Sequence, residues 1–120
     1  MSDFLVHIVT GPENPTRAAM GFLVAKTAVD QGHEVKVFLA GDAVQLIRDA
    51  VLDNLSGLGT GALREHYDAL VAGGARFYLS GKSSAGRGVD SEDLKDKPAE
   101  LAMPDELVRL AVAADTVVTY

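Results

Sequence analysis

The first forty residues constrain the fold more strongly than any other part of the chain. Phe4–Thr10 is an apolar run rich in β-branched residues, too short for a helix, and it stops at Gly11-Pro12. Alanines and larger apolar residues then recur at helical spacing as far as Gly32, and Glu34–Ala40 is a second apolar run. The order strand, helix, strand predicts a βαβ unit, and such units have right-handed crossovers.

The remaining sequence continues this alternation of strands and helices. After the second strand we expect a shorter helix capped by Asp42 and a flexible glycine-rich loop at Asp53–Gly61. A helix at Ala62–Ala72 and a strand at Ala75–Leu79 follow. The last third of the chain is predicted to hold a solvated charged segment at Asp90–Lys97, a helix that begins at Pro104 and a strand at Thr116–Tyr120. Alternating elements predict a three-layer α/β/α fold around a mostly parallel sheet of four to five strands. With 120 residues, 48% of them hydrophobic, we expect one domain over residues 1–120.

Composition excludes several classes of function. The chain has no cysteine, which removes disulfides, thiolate metal sites, cysteine nucleophiles and persulfides. Its net charge is −6 with no cluster of lysine and arginine, so we expect no nucleic-acid partner. The histidines and acidic residues show no metal-ligand spacing, and we expect neither a metal nor a cofactor. No apolar run reaches the ~18–20 residues that span a bilayer, and residues 3–10 look like a strand instead of a signal peptide, so we expect a soluble, cytoplasmic protein.

The segment Tyr78–Val89 holds the main candidate site. A strand is predicted to end near Ser80, followed by a glycine- and serine-rich loop with a single arginine. The carboxyl end of a strand is a common place for functional side chains in α/β proteins. A serine nucleophile needs an adjacent base, but no histidine lies in a triad signature and the sequence around Ser80 does not match the nucleophile elbow. The sequence therefore favours a pocket-lining serine and assigns no catalytic residue.

A small anion is the ligand that these residues suit best. Lys82, Arg87 and main-chain N–H groups could converge on it, although Arg87 could instead pair with a carboxylate or carbonyl and fix the loop. A nucleotide phosphate loop is excluded because Arg76 stands where that motif needs glycine. The amino end of the first helix offers a second anion position, and there Asn14 is also a good N-cap. The candidate binding residues are Gly11, Asn14, Ser80, Lys82, Ser83 and Arg87.

The order of these features resembles the DsrE/DsrF-like family over nearly the whole chain. The matching segments are Gly11-Pro12, the alanine-rich helix, Gly32-His33, Val37–Val44, Ser80 followed by Arg87-Gly88-Val89, and Ala114-Asp115 before the last strand. In active members, a cysteine that carries sulfur as a persulfide stands at the position that matches Ser80, and some have a second cysteine at the position that matches Ser83. This sequence departs from the family at both positions.

The resemblance implies a cysteine-less binding or assembly subunit linked to sulfur metabolism, without persulfide sulfurtransferase activity. Many relatives form trimers or stacked hexamers, homomeric or with paralogous subunits, so we expect an oligomer, and a homo-oligomer above all. An enzyme or a sensor for a small anionic ligand at Ser80 and Arg87 remains the alternative. The sequence leaves open whether any reaction is catalysed.

Overall fold

The computed structural model describes residues 1–120. Five strands form the main sheet and two short ones a separate hairpin: β1 (Asp3–Ile8), β2 (Glu34–Leu39), β3 (Ser56–Gly57), β4 (Gly61–Ala62), β5 (Arg76–Ser80), β6 (Ala99–Ala102) and β7 (Thr116–Thr119). The helices are α1 (Pro15–Asp30), α2 (Asp49–Leu52), α3 (Leu63–Ala72), α4 (Gly81–Arg87) and α5 (Pro104–Ala113), with a 3₁₀ helix at Gly41–Ile47. None of the helices is long and apolar enough to cross a membrane.

The predicted βαβ unit is confirmed. β1 and β2 pair in parallel over their whole length, with Asp3 opposite Glu34 and Ile8 opposite Leu39. The helix between them begins as the sequence indicates, because the Asn14 side chain accepts a hydrogen bond from the Arg17 N–H (3.2 Å) and Pro15 occupies the first turn.

The five-stranded sheet has the order β6-β5-β2-β1-β7, and all four pairings are parallel. From β1 the chain steps to β2, β5 and β6 in one direction, and then returns across the sheet to β7 on the other side of β1. Right-handed crossovers put helices on opposite faces when the direction of winding reverses. The helices before β6 therefore share one face, α5 lies on the other, and the fold has three α/β/α layers.

The two faces of the sheet are unequally covered. Between the sheet and the first helical layer lies a cluster of 23 buried apolar residues, in which Phe22 and Tyr67 pack on Phe77. On the α5 face the buried cluster has only three members: Leu5, Phe38 and Leu110. The hydrophobic effect scales with buried apolar area, so burial in the first cluster supplies most of the stabilisation.

Three local predictions are wrong. The segment after Asp42 is a 3₁₀ helix followed by the short α2, and Asp42 does not cap it. Asp53–Gly61 was expected to be a flexible loop, but it contains β3 and leads into β4, and this hairpin is fixed because Thr16 of α1 accepts a hydrogen bond from the Leu58 N–H (3.0 Å). The third error concerns residues 81–87, which form α4 instead of a loop. The charged segment at residues 90–97 is mostly exposed, as expected, but the Lys97 side chain is only 8% exposed, and its ammonium donates to the Asp93 carbonyl (2.8 Å) and lies 3.3 Å from the Asp49 carboxylate.

Candidate functional site

The carboxyl ends of β1, β2 and β5 bring most of the predicted residues to one edge of the sheet. Gly11 follows β1 and packs directly on the chain after β2: a Cβ atom at this position would lie 2.2 Å from the Asp42 carbonyl oxygen. Only glycine fits such a close approach of two main chains. Ser80 ends β5, the strand on the other side of β2.

Ser80 is the N-cap of α4. Its hydroxyl oxygen accepts a hydrogen bond from the Ser83 N–H (3.2 Å), and Gly88 ends the helix in the left-handed conformation (φ 69°). Glycine and serine are poor residues for a helix interior, which is why the sequence indicated a loop. Contacts outside the segment override this preference, since Ser84 is buried and the Arg48 guanidinium donates to the Arg87 (3.2 Å) and Gly88 (2.6 Å) carbonyls.

Ser83 and Arg87 tie α4 to the segment after β2. The Ser83 hydroxyl accepts a hydrogen bond from the Gly41 N–H at 2.9 Å. The Arg87 Nε donates to the Asp42 carboxylate at 2.9 Å, and its Nη1 donates to the Ser83 carbonyl at 3.2 Å. Of the two interpretations of Arg87 left open by the sequence, these contacts match the pairing with a carboxylate. Both side chains are partly exposed, so the ion pair contributes only ~0–1 kcal/mol.

A carboxylate of the chain itself lies in the segment between β1 and α1. The Gly11 N–H donates to both carboxylate oxygens of Glu13, at 2.9 and 3.1 Å. The Asn14 side chain is engaged as the N-cap of α1. The Gly11 N–H, which belongs to one of the candidate binding residues, is therefore already bonded to a carboxylate of the chain.

Lys82 faces a different environment from Arg87. Its side chain is exposed and lines a groove of about 390 Å³ between α4 and β6, together with Gly81, Ala85, Leu101, Ala102 and Met103. β5 leads to a helix on one face and β6 to a helix on the other, which makes the gap between their carboxyl ends a topological switch point. The groove is apolar apart from Lys82, and a Cβ on Gly81 would lie 3.2 Å from the Met103 sulfur.

The three histidines make their contacts with residues other than Ser80. His66 is buried and its Nε2 lies 2.7 Å from the Thr60 carbonyl. His33 accepts a hydrogen bond from the Ser2 N–H (3.1 Å). His7 lies on the α5 face against Phe38, its Nε2 is buried without a hydrogen-bond partner, and burial lowers its pKa below 6.5. None of them is hydrogen-bonded to Ser80, and no group of three histidine or acidic side chains is arranged to hold a metal ion.

The roles of two residues at this edge of the sheet were not predicted from the sequence. Asp42 was expected only to cap a helix, yet it holds Arg87. Met103 had no expected role, because β6 itself was not predicted and the groove beside it exists only once β6 pairs with β5. The acidic residue in the segment Val37–Val44 was the only available signal for the first, and nothing in the sequence indicated the second.

Comparisons with known proteins place the chain in a family. The model of the DsrE/DsrF-like family matches residues 3–120. A search of curated protein sequences gave no significant match.

Solved structures share the fold. The YchN protein of E. coli superimposes with a TM-score of 0.83 at 21% identity, covering 100% of both chains. BT1422 of Bacteroides thetaiotaomicron, a conserved protein of unknown function, gives 0.72 at 10% identity over 99% of this chain and 95% of that one. MTH1491 of Methanobacterium thermoautotrophicum, also of unknown function, gives 0.69 at 14% identity over 100% of both. With a family model that spans almost the whole sequence, the chain belongs to the DsrE/DsrF-like family, as a member without cysteine.

Proposed function

We propose that the protein is an assembly subunit of the DsrE/DsrF-like type that carries no persulfide. The observation that carries this proposal is the role of Ser80. At the position where the family resemblance expects a sulfur-carrying thiol, the side chain is a hydroxyl whose oxygen caps α4. A helix cap is a structural role, and the ion pair of Arg87 with Asp42 holds the same helix in place.

The α5 face supports association with other subunits. Val108 and Val112 on α5 are 62% and 82% exposed, and Val117 of β7 is exposed beside them. A groove of about 370 Å³ on this face is lined by Leu5, His7, Leu107, Val108, Ala111, Val112 and Val117. Contiguous exposed apolar surface of this kind marks interaction sites. The partner is another copy of the chain, in a trimer or hexamer, or a paralogous subunit with the same fold.

The mass of the native particle tests the proposal. Native mass spectrometry of protein from its own host should show a particle heavier than the 12.6 kDa monomer, and light scattering of the purified chain should show a multiple of that mass where the partner is another copy. Val112→Asp should reduce that mass by placing a charge on the apolar face. Val71→Asp is the matched control, because Val71 is an exposed valine on α3, on the other side of the sheet. A monomeric wild-type protein at every concentration, with no partner retained, would refute the assembly role.

The groove beside Lys82 favours a second candidate function, the binding of a small ligand that carries an anionic group and an apolar part. Lys82 is exposed at the switch point, and the rest of the lining is apolar. Arg87 would join such a site only by exchanging Asp42 for the ligand. Thermal unfolding with inorganic phosphate, sulfate and short-chain carboxylates tests this function, since a ligand at a hundredfold excess over its Kd stabilises by about 2.7 kcal/mol. Lys82→Met should abolish the effect.

A further inference from the structure

The outer edge of β6 presents an unpaired row of main-chain groups. The Phe77 N–H donates to the Pro98 carbonyl at 2.8 Å, and Phe77 and Leu79 stand opposite Ala99 and Leu101. In a parallel ladder this phase turns the main-chain groups of residues 98, 100 and 102 toward β5. The N–H and C=O groups of Ala99, Leu101 and Met103 therefore point away from the sheet.

Two of these six groups are satisfied within the chain. The Ala99 N–H donates to the Lys97 carbonyl at 2.8 Å, and the Met103 carbonyl accepts from the Glu106 N–H at 3.0 Å. Neither contact involves Leu101, whose N–H and C=O remain open, as do the Ala99 C=O and the Met103 N–H. Leu101 is 47% and Met103 46% exposed, and β6 itself contains no lysine or proline that would protect the edge.

We propose that β6 pairs antiparallel with β6 of a second copy, about a two-fold axis at Leu101. On such an axis the two Leu101 residues exchange both of their hydrogen bonds, and each Met103 N–H donates to the Ala99 carbonyl of the other copy. Four hydrogen bonds use all the open groups on both strands. The two groups that this register leaves out are the ones already satisfied internally.

The side chains are compatible with the same register. Leu101 lies opposite Leu101 of the second copy, and the small Ala99 lies opposite the long Met103. Glu100 lies opposite Ala102, so no like charges face each other directly across the two strands. The pairing joins two five-stranded sheets into one and deepens the proposed assembly function, on which it rests, by naming a second surface and its partner.

A single cysteine tests the register, because the native chain contains none. In a hydrogen-bonded antiparallel pair the opposed Cα atoms are about 5.5 Å apart, within the range of disulfides. Leu101→Cys should give a disulfide-linked dimer under mild oxidation, and mixing Ala99→Cys with Met103→Cys should give the mixed dimer. Val71→Cys is the control for random collision. Cross-linking of Leu101→Cys no faster than this control would overturn the proposal, as would a cross-link to a different protein in its place.

A proline variant separates the edge pairing from the α5 face. Leu101→Pro removes an N–H that points away from β5, a place where edge strands tolerate proline, and circular dichroism would confirm that the variant folds. We expect the assembly to lose its β6 contact and its mass to fall to half. An unchanged mass, with Val112→Asp still dissociating the particle, overturns the edge pairing and leaves the proposed function standing. If Leu101→Cys cross-links and Val112→Asp leaves the mass of the assembly unchanged, the edge pairing is supported and the α5 face is excluded as an interface between subunits. A wild-type monomer without cross-linking overturns both.

Discussion

Replacing Ser80 by alanine shows whether the residue at the family's sulfur position is structural. Its hydroxyl makes one capping hydrogen bond, to the Ser83 N–H at 3.2 Å, at the start of a seven-residue helix. Removing a serine N-cap costs about 1 kcal/mol, within a range of roughly 0.5–2 kcal/mol. The Gly41–Ser83 hydrogen bond and the Asp42–Arg87 ion pair remain, so we expect α4 to persist and the loss to stay within that range.

Ser84→Ala is the matched control on the same helix. Ser84 is 1% exposed, and its hydroxyl has no hydrogen-bond partner. An unpaired buried hydroxyl is unfavourable, and deleting it removes no hydrogen bond. We therefore expect Ser84→Ala to leave the free energy of unfolding unchanged or to raise it, whereas Ser80→Ala lowers it.

Urea unfolding followed by far-ultraviolet circular dichroism measures both variants. Ser80→Ala should lower the midpoint without changing the denaturant slope, and a loss of ~1 kcal/mol should lower the Tm by about 4 °C for a chain of this size. The cap assignment is wrong if Ser80→Ala unfolds like the wild type. It is also wrong if Ser84→Ala is the more destabilising of the two.

Three further predictions concern other positions. Gly11→Ala should destabilise by ~1–3 kcal/mol because its Cβ would meet the Asp42 carbonyl at 2.2 Å, whereas Gly86→Ala, in open space on α4, should raise the free energy of unfolding in urea titrations by ~0.5–1 kcal/mol. Burial lowers the pKa of His7, so the neutral imidazole stabilises the fold above pH 6.5, and this contribution is lost as the pH falls from 6.5 toward the folded-state pKa. His7→Leu should therefore flatten that part of a curve of unfolding free energy against pH. An unchanged curve would contradict the assignment. Burial raises the pKa of Tyr67 to about 12, so tyrosinate absorbance in an alkaline titration should rise later for this residue than for an ordinary tyrosine near pH 10, and Tyr67→Phe should remove the late phase.

The large elements were predictable because their patterns are long and locally consistent. α1 has a capping asparagine, a proline in its first turn and apolar residues at helical spacing, and the apolar β1 and β2 flank it. β6 was not predictable, since its alanines and glutamate have low strand propensity. It is a strand because it pairs with β5, about twenty residues earlier in the chain, and local sequence patterns do not show such a pairing.

The hydrogen-bond partners of the site residues could not be predicted for the same reason. Arg87 is hydrogen-bonded to Asp42, which is 45 positions away in the sequence, and Ser83 is hydrogen-bonded to Gly41, which is 42 positions away. The sequence could name the residue types that suit an anion. It could not show that Glu13 and Asp42 already supply carboxylates to the Gly11 N–H and to Arg87.

The place of β7 in the sheet has a consequence for how the protein folds. β1 is hydrogen-bonded on one side to β2, its neighbour in sequence, and on the other to β7, and the Asp3 N–H reaches the Asp115 side chain across 112 positions. Pairings between distant segments require the closure of long loops and form slowly. On the ribosome, β1, α1 and β2 can assemble while β7 is still unmade, and until then β1 is itself an open edge. The nascent chain therefore passes through a stage in which one side of β1 is available to the wrong partner, and a slow final phase of folding should coincide with the arrival of β7.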